Sequence, residues 1–356
     1  MSRRSAATLA AVLLLAITGL LAWRAPVGYT IYSPGPTVNV LGKGDDGKPI
    51  LEVSGHRVYR DDGGLRLVTI YETGVDDDVS LARALIGWAD PKVAVYPHDA
   101  VYPEQASTKQ LRQQAAQEMT SSQDDAIAAA LTALHVPFTK AVQVAAVDPK
   151  GPAQGVLRTG DLVRAVDGQR TATTTALIHA VQAHPPGTRL TLTVVRKQQP
   201  QQVRITTAAL GSKGKKAHQS RVGVTIAPSY AFPFNVDVNL QSNIGGPSAG
   251  MMFSLGIYDV LTKGSLTHGK VVAGTGTIDA DGKVGEIGGI QQKIAGAQRD
   301  GARLFLVPSG NCAEALGADY DPNRMRLARV TTMQQALGVV KTWASDSSAD
   351  LPRCTR

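Results

Sequence analysis

Ser248 is the residue with the clearest potential for chemistry. It follows Gly245, Gly246 and Pro247 and precedes a largely apolar run at 251–261. Because glycines permit a close turn and proline suits the first position of a helix, we expect the serine at a helix N-terminus. Unpaired backbone N–H groups there could stabilise the oxyanion that forms when a serine attacks an amide carbonyl. A serine that only caps the helix would fit the same residues.

The same residues also satisfy G-x-S-x-G, the pattern of the nucleophile elbow in α/β-hydrolases. That elbow requires a buried strand before the serine, and an acid and a histidine in order after it. Here residues 234–240 alternate polar and apolar side chains, and the only histidine downstream is His268, 20 residues on. The sequence therefore disfavours a hydrolase elbow.

Lys293 lies 45 residues beyond the serine, within the sequence GGIQQKIAGA at 288–297. A lysine becomes a useful base only when apolar burial or cationic neighbours lower its pKa. Ile294 and Ala295 are apolar neighbours, and Arg299 is the nearest charge. The position therefore suits a buried base, although an ordinary exposed helical lysine would fit the same window.

Together the two windows resemble the Lon-type serine protease domain, in which GPSAG supplies the nucleophile and IGG(L/I)..K supplies a lysine base. The resemblance extends over residues 221–341. It implies that Ser248 is the nucleophile, that Lys293 is its base, and that Thr275 takes the place of a threonine that supports the lysine. The expected oxyanion donors are backbone N–H groups, those of Gly246, Ser248 and Ala249.

Two positions depart from the Lon pattern. Gly245 stands where an aspartate commonly precedes Gly-Pro-Ser, and Glu286 stands where a proline is usual. A nucleotide-binding motor is not expected, because the nearest approach to a P-loop, at 42–48, is followed by Pro49 instead of a magnesium-binding Ser or Thr. The resemblance is therefore to a Lon-like protease without an ATPase domain, and no cofactor is predicted.

A second pattern covers residues 138–208. The run GPAQGVLRTGDLVRAVDG at 151–168 resembles the GPA..G.L..GD.I..VDG motif of PDZ domains in bacterial periplasmic proteases. A strand at 142–147, a helix at about 174–183 and a strand at 190–196 complete the expected domain. PDZ domains bind an extended chain end along a sheet edge. A PDZ domain that packs against its neighbours and binds nothing would have the same sequence.

Residues 5–23 form an uncharged, largely apolar run after Arg3 and Arg4. A helix of this length spans roughly the 30 Å of a bilayer core. The arginines predict a cytoplasmic start, so we expect a membrane anchor in the cell membrane with the later domains on the extracytoplasmic side. A cleaved signal peptide is the alternative, but residues 20–24 lack a clean cleavage pattern.

Composition excludes other kinds of site. The seven histidines are scattered without an HExxH or HxxEH arrangement, so no metal site is predicted. Only 5% of residues are aromatic, which disfavours a stacking surface for single-stranded nucleic acid despite a net charge of +8.

We interpret the main basic stretch as a strand edge leading into a solvated linker; it holds Arg196, Lys197, Arg204, Lys213, Lys215, Lys216 and Arg221. The pairing of Cys312 and Cys354 stays open.

The sequence thus predicts an α+β protein with a transmembrane anchor (5–23), a β-rich segment followed by helices (24–137), a PDZ-like domain (138–208), a Lon-type protease domain (209–345) and a tail (346–356). Strands are expected at 28–32, 37–41 and 65–71, with a Pro-Gly turn signal at 33–36 between the first two, and one long or two broken helices at 104–135.

The expected function is that of a membrane-anchored, ATP-independent serine endopeptidase acting on unfolded or flexible extracytoplasmic proteins. Its expected partners are polypeptide substrates and membrane lipid through the N-terminal helix, and a ring-like homo-oligomer is plausible by analogy with Lon. A non-catalytic membrane-tethered PDZ adaptor and a small-molecule hydrolase are the rival functions.

Overall fold

The computed structural model describes residues 3–102, 107–196, 199–240 and 244–355. The helices are α1 Arg3–Arg24, α2 Leu81–Ala89, α3 His98–Val101, α4 Thr108–Ala133, α5 Thr174–Gln182, α6 Gly250–Leu261, α7 Ile290–Arg299, α8 Cys312–Ala315 and α9 Met333–Ser345. Short 3₁₀ segments lie at Gly214–His218, Pro247–Ala249 and Ser309–Asn311.

The strands before residue 150 are β1 Pro26–Val27, β2 Tyr29–Asn39, β3 Leu51–Ser54, β4 Gly64–Glu72, β5 Val79–Ser80, β6 Ala94–Pro97 and β7 Thr139–Val147. They are followed by β8 Leu162–Val166, β9 Gln169–Arg170, β10 Arg189–Arg196, β11 Gln199–Thr206, β12 Ala208–Ala209, β13 Ser220–Arg221 and β14 Val224–Ala231. The last are β15 Asn235–Val238, β16 Val271–Gly274, β17 Thr277–Ile278, β18 Val284–Gly285, β19 Leu304–Pro308 and β20 Arg326–Val330.

The chain divides into two compact units, and the first is discontinuous in sequence. It comprises Met1–Ala133 and Val236–Arg356, whereas the second comprises Leu134–Asn235. The sequence-based division instead assigned 24–137 and 209–345 to separate domains. In the structure the segment before the PDZ-like unit contributes strands to the same sheet as the residues after it.

The first unit is built on a six-stranded mixed sheet in the order β20-β19-β16-β4-β2-β6. Strands β20, β19, β16 and β4 are parallel neighbours, and β2 runs antiparallel to both β4 and β6. Every residue of β19 is buried, as expected of a central strand in a parallel sheet. Helix α6 is apolar on nearly all sides, and its burial between β4, α4 and α9 accounts for that composition.

The predicted turn at 33–36 lies inside β2 and does not end it. The expected strands at 28–32 and 37–41 form one strand, and its pairing with β4 shifts register between Pro34 and Thr37. Gly35 has no Cβ at a point where one would collide with Thr69, so the two strands can approach closely there. The proline and glycine that predict a turn thus mark a bulge.

Two predictions about the N-terminal part meet different outcomes. Helix α4 forms one continuous helix over Thr108–Ala133, and the predicted start at Glu104 lies outside the described residues. Within the described part of the chain, no helix is both long enough and apolar enough to cross a membrane. The transmembrane anchor predicted at 5–23 is therefore not confirmed.

The second unit is an antiparallel sheet in the order β11-β10-β8-β7-β14, with β9 paired to β8 and α5 packed over the core. Helix α5 and strands β7 and β10 lie where the PDZ pattern places them. Strand β14 lies beyond the predicted end of the domain at 208, yet it pairs with β7 over eight residues.

Part of the basic stretch is bound by acidic partners in the second unit. Arg196 donates two hydrogen bonds to Asp161, at 2.7 and 2.6 Å, and Arg221 donates to Asp148 at 2.9 Å. Burial disfavours the charge of Asp161, but these bonds and one from the Arg158 backbone hold its pKa below the usual range. Arg196 and Arg221 therefore help to hold the sheet, while Lys197 lies outside the described residues.

Cys312 and Cys354 form a disulfide, which settles the question that the sequence left open. The bond ties the start of α8 to the C-terminal segment across 42 residues. It thereby stiffens the region beside α7, the helix that carries Lys293.

Candidate active site

Ser248 lies in the single 3₁₀ turn Pro247–Ala249 that leads directly into α6. Gly246 enters this turn with φ of 87°, a conformation that favours glycine, and Pro247 occupies the first helical position. The serine side chain is partly exposed, whereas Ala249 and Gly250 behind it are buried. The Ser248 side chain is thus accessible at the start of a buried helix.

Lys293 lies on the first turn of α7 and faces the serine. Its Nζ donates a hydrogen bond to Ser248 Oγ across 3.1 Å, and the lysine is only 4% exposed. Burial lowers the pKa of Lys293 to about 8, although the negative charge of Glu314 opposes that shift. When neutral, this amine can accept the Oγ–H proton, so the pair has the geometry of nucleophile and base.

This pKa predicts how hydrolysis depends on pH. Protonated Lys293 cannot accept the serine proton, so activity should rise with pH through a midpoint near 8 and level off about one pH unit above it. At pH 7 roughly a tenth of the lysine would be neutral, given a pKa near 8. Initial rates of peptide cleavage between pH 6 and 9.5 would measure the midpoint; a rate that is flat or falls over this range would contradict the assignment of Lys293 as base.

Thr275 contacts Ser248 through the backbone. Its Oγ1 donates to the Ser248 carbonyl at 3.0 Å, and the Gly276 N–H donates to the same oxygen at 2.8 Å. The resemblance assigned Thr275 to the support of the lysine, whereas the bond in this structure holds the serine's peptide carbonyl. Thr275 is 1% exposed, which protects that bond from water.

The predicted oxyanion donors occupy the start of this same turn. The first N–H groups of a helix have no partner within the helix, so those of Ser248 and Ala249 are available by geometry to a ligand. Gly246 precedes them in extended backbone at positive φ. The three predicted donors therefore lie within four consecutive residues, at the entry to the turn and in the turn that carries Ser248.

Asn311, which the sequence analysis did not single out, braces the loop that leads into α7. Its Oδ1 accepts from the Ile287 N–H at 2.9 Å, and its Nδ2 donates to the Ile287 carbonyl at 2.8 Å. Asn311 directly precedes Cys312 of the disulfide. Only a three-dimensional contact reveals this role, since nothing in the local sequence distinguishes this asparagine.

A cleft of about 830 Å³ opens at Ser248 and Lys293. One wall comes from β2 and β4 at residues 36–39 and 67–72, and another from Ala115 and Met119 of α4. These walls belong to the segment whose purpose the sequence left unassigned. The N-terminal part of the chain therefore shapes the site where substrate would lie.

Comparison with known proteins agrees with this arrangement. Residues 241–340 match the Lon protease (S16) C-terminal proteolytic domain, and residues 117–207 match the PDZ domain. The chain carries a Lon-type proteolytic domain. The Lon-type match includes both Ser248 and Lys293.

Curated relatives of the chain include Lon proteases. The Lon protease of Neorickettsia sennetsu is 34% identical over 93 residues, which are 26% of this chain and 11% of that protein. The Lon protease of Roseiflexus castenholzii is 33% identical over 122 residues, which are 30% of this chain and 15% of that protein. The chain thus spans a small part of the length of these relatives.

Solved structures resemble about a quarter of the chain. The PDZ domain of an SdrC-like protein from Listeria monocytogenes is 25% identical with a TM-score of 0.22, covering 24% of this chain and 85% of that one. A protein from Geobacillus thermodenitrificans is 28% identical with a TM-score of 0.21, covering 24% of this chain and 94% of that one.

The PDZ unit contains a groove of about 550 Å³ beside its own terminal strand. Leu177, Ile178 and Val181 of α5 form an apolar wall, and β14 is the last strand of the described sheet on this side. Arg221, paired with Asp148, stands at the end of the groove where the chain enters β14. A groove between a helix and an edge strand can take an extended peptide.

Proposed function

We propose that this protein is a serine endopeptidase in which Ser248 is the nucleophile and Lys293 the general base. The observation that carries the proposal is the 3.1 Å contact between Lys293 Nζ and Ser248 Oγ, made by a lysine that burial brings to a pKa of about 8. An ordinary surface lysine would remain fully charged at neutral pH.

The reaction follows from this geometry. Ser248 Oγ attacks the scissile carbonyl carbon while Lys293 Nζ takes the hydroxyl proton. The oxyanion that forms is stabilised by hydrogen bonds from N–H groups at the start of the turn. The lysine then returns the proton to the leaving amine as the C–N bond breaks. Water then attacks the acyl-Ser248 ester with Lys293 again as base, which releases the second product.

We further propose that the enzyme acts without ATP on flexible or unfolded chains. The cleft at Ser248 has a volume of about 830 Å³, so an extended segment could reach the serine without a motor. The test is cleavage of casein by the full chain with and without ATP, compared with Ser248→Ala. Cleavage that is equal under both conditions and absent in the variant agrees with the proposal; cleavage that needs ATP, or that persists in the variant, contradicts it.

The PDZ groove is proposed to select substrates. Ile178 is 45% exposed on the groove wall, so Ile178→Asp should weaken capture of an apolar chain end, and the substitution lies outside the unit that carries Ser248. We expect casein cleavage to slow several-fold while cleavage of a short fluorogenic peptide stays at the wild-type rate. The control is Leu316→Asp, which replaces an apolar residue of similar exposure on the first unit. Equal casein rates for all three proteins would exclude selection by the groove.

An oxidising, extracytoplasmic compartment is proposed for the protease unit. The Cys312–Cys354 disulfide supports it, because such bonds are rare in the reducing cytosol. Thiol labelling of chain isolated from cells without reductant should leave both cysteines unlabelled; labelled cysteines would place the protein in a reducing compartment.

A further inference from the structure

Ser122 is a buried serine on α4 that contacts the nucleophile turn. It is 5% exposed, and its Oγ donates to the Pro247 carbonyl at 3.0 Å, across 125 residues of sequence. The packing is tight, since a Cβ placed on Gly250 would lie 2.8 Å from the same Oγ. The side chain therefore holds one peptide of the turn from the side of α4.

The direction of this bond separates Ser122 from ordinary helical serines and threonines. Such residues commonly donate to the carbonyl four residues earlier in their own helix. Thr120, two residues before, does so and donates to Ala116 at 3.0 Å. Ser122 instead donates to another segment, which indicates a bond that serves the turn and not the helix.

The geometry of the peptide bond turns this contact into a constraint on Ser248. The Pro247 carbonyl and the Ser248 N–H belong to one planar trans peptide, so they point in opposite directions. The Pro247 carbonyl oxygen accepts hydrogen bonds from Ser122 Oγ and from the Gly250 N–H. Because these bonds fix the carbonyl, they also fix the direction of the Ser248 N–H.

The next peptide of the turn is held in the same way. The Ser248 carbonyl accepts from Gly276 N–H and Thr275 Oγ1, at 2.8 and 3.0 Å, and this directs the Ala249 N–H. The directions of the Ser248 and Ala249 N–H groups are thus set by hydrogen bonds to the carbonyl of the same peptide. The Pro247 carbonyl is held from α4, and the Ser248 carbonyl is held from the segment after β16.

We propose that Ser122 is a positioning residue that aims the Ser248 N–H at the oxyanion formed during peptide hydrolysis. The inference rests on the proposed function, since it assigns a role within that reaction. Ser122 does not touch substrate in this account. It acts through the Pro247 peptide, and its effect should appear in the transition state and not in substrate binding.

The test compares Ser122→Ala with Ser121→Ala in the full chain. Ser121 is the exposed neighbour on α4, so its variant removes the same hydroxyl without the bond to Pro247. Rates on a fluorogenic peptide are divided by the fraction of enzyme that a fluorophosphonate can label, which removes any effect of misfolded protein. A peptide boronate, whose adduct on serine is tetrahedral, reports the affinity for the oxyanion geometry.

For Ser122→Ala we expect kcat to fall about tenfold. A misdirected Ser248 N–H would stabilise the oxyanion less, and the negative charge of that oxyanion develops in the transition state. Boronate affinity should fall by a similar factor. KM and the pH midpoint should stay unchanged, because the cleft and Lys293 are untouched. Ser121→Ala should equal wild type in every measurement.

Three results would overturn the inference. Equal kcat values for Ser122→Ala and Ser121→Ala after normalisation would mean that Ser122 contributes only to packing, while the proposed function would stand. A shifted pH midpoint would show that Ser122 acts through Lys293 instead of through the turn. A wild-type rate no higher than that of Ser248→Ala would reject the proposed function itself, and the inference with it.

Discussion

Replacing Ser248 with alanine is expected to reduce peptide hydrolysis by at least about 10⁴-fold, because the covalent route disappears with the hydroxyl. The substitution removes one partly exposed oxygen, and the turn that carries it is held by bonds to backbone carbonyls. The fold should therefore survive. Initial rates on casein and on a short peptide, with thermal melting of both proteins, would measure the change.

Ser121→Ala serves as the matched control for the loss of hydrolysis, since Ser121 is exposed on α4 and takes no part in the proposed chemistry. Residual activity of Ser248→Ala within tenfold of wild type would place the nucleophile elsewhere.

Replacing Lys293 with methionine should lower the rate about 10²- to 10⁴-fold, the range expected for loss of a general base. Methionine has a similar length and no charge, and it suits the apolar site in which the lysine is buried. Because the buried site disfavours a charged amine, the melting temperature should not fall. Rates at pH 8.5, where much of the wild-type lysine is neutral, would show the largest difference.

Lys293→Arg separates the base from the charge. Arginine keeps the cation but cannot give up its proton near neutral pH, so this variant should be as inactive as the methionine variant. Lys263→Met changes an exposed lysine of the same unit and should leave the rate unchanged. An active Lys293→Arg enzyme would mean that the lysine acts only as a positive charge.

The turn that carries Ser248 was predictable because its signals are local. Gly246, Pro247 and Ser248 encode a turn at a helix start, and the lysine sits in a second short window. The PDZ pattern was predictable for the same reason, since each glycine marks a turn. In both cases the residues that define the structure lie close together in sequence.

The remaining features depend on contacts between distant segments. Strand β4 pairs with β16 across some 200 residues, with Gly64 opposite Val271, and no periodicity in either strand identifies its partner. Likewise β14 joins the PDZ sheet after a long basic connection, and Ser122 reaches Pro247 from α4. The proline and glycine at 34–35 predict a turn where the structure has a bulge, because local sequence cannot show that Thr69 lies against Gly35.

Covalent labelling of the full chain with a fluorophosphonate, followed by peptide mass spectrometry, tests directly whether Lys293 activates Ser248. We expect a single adduct on Ser248, with a labelling rate that rises with pH about a midpoint near 8 and falls sharply in Lys293→Met. An adduct on another serine, or equal labelling of Ser248 in wild type and Lys293→Met, would contradict it.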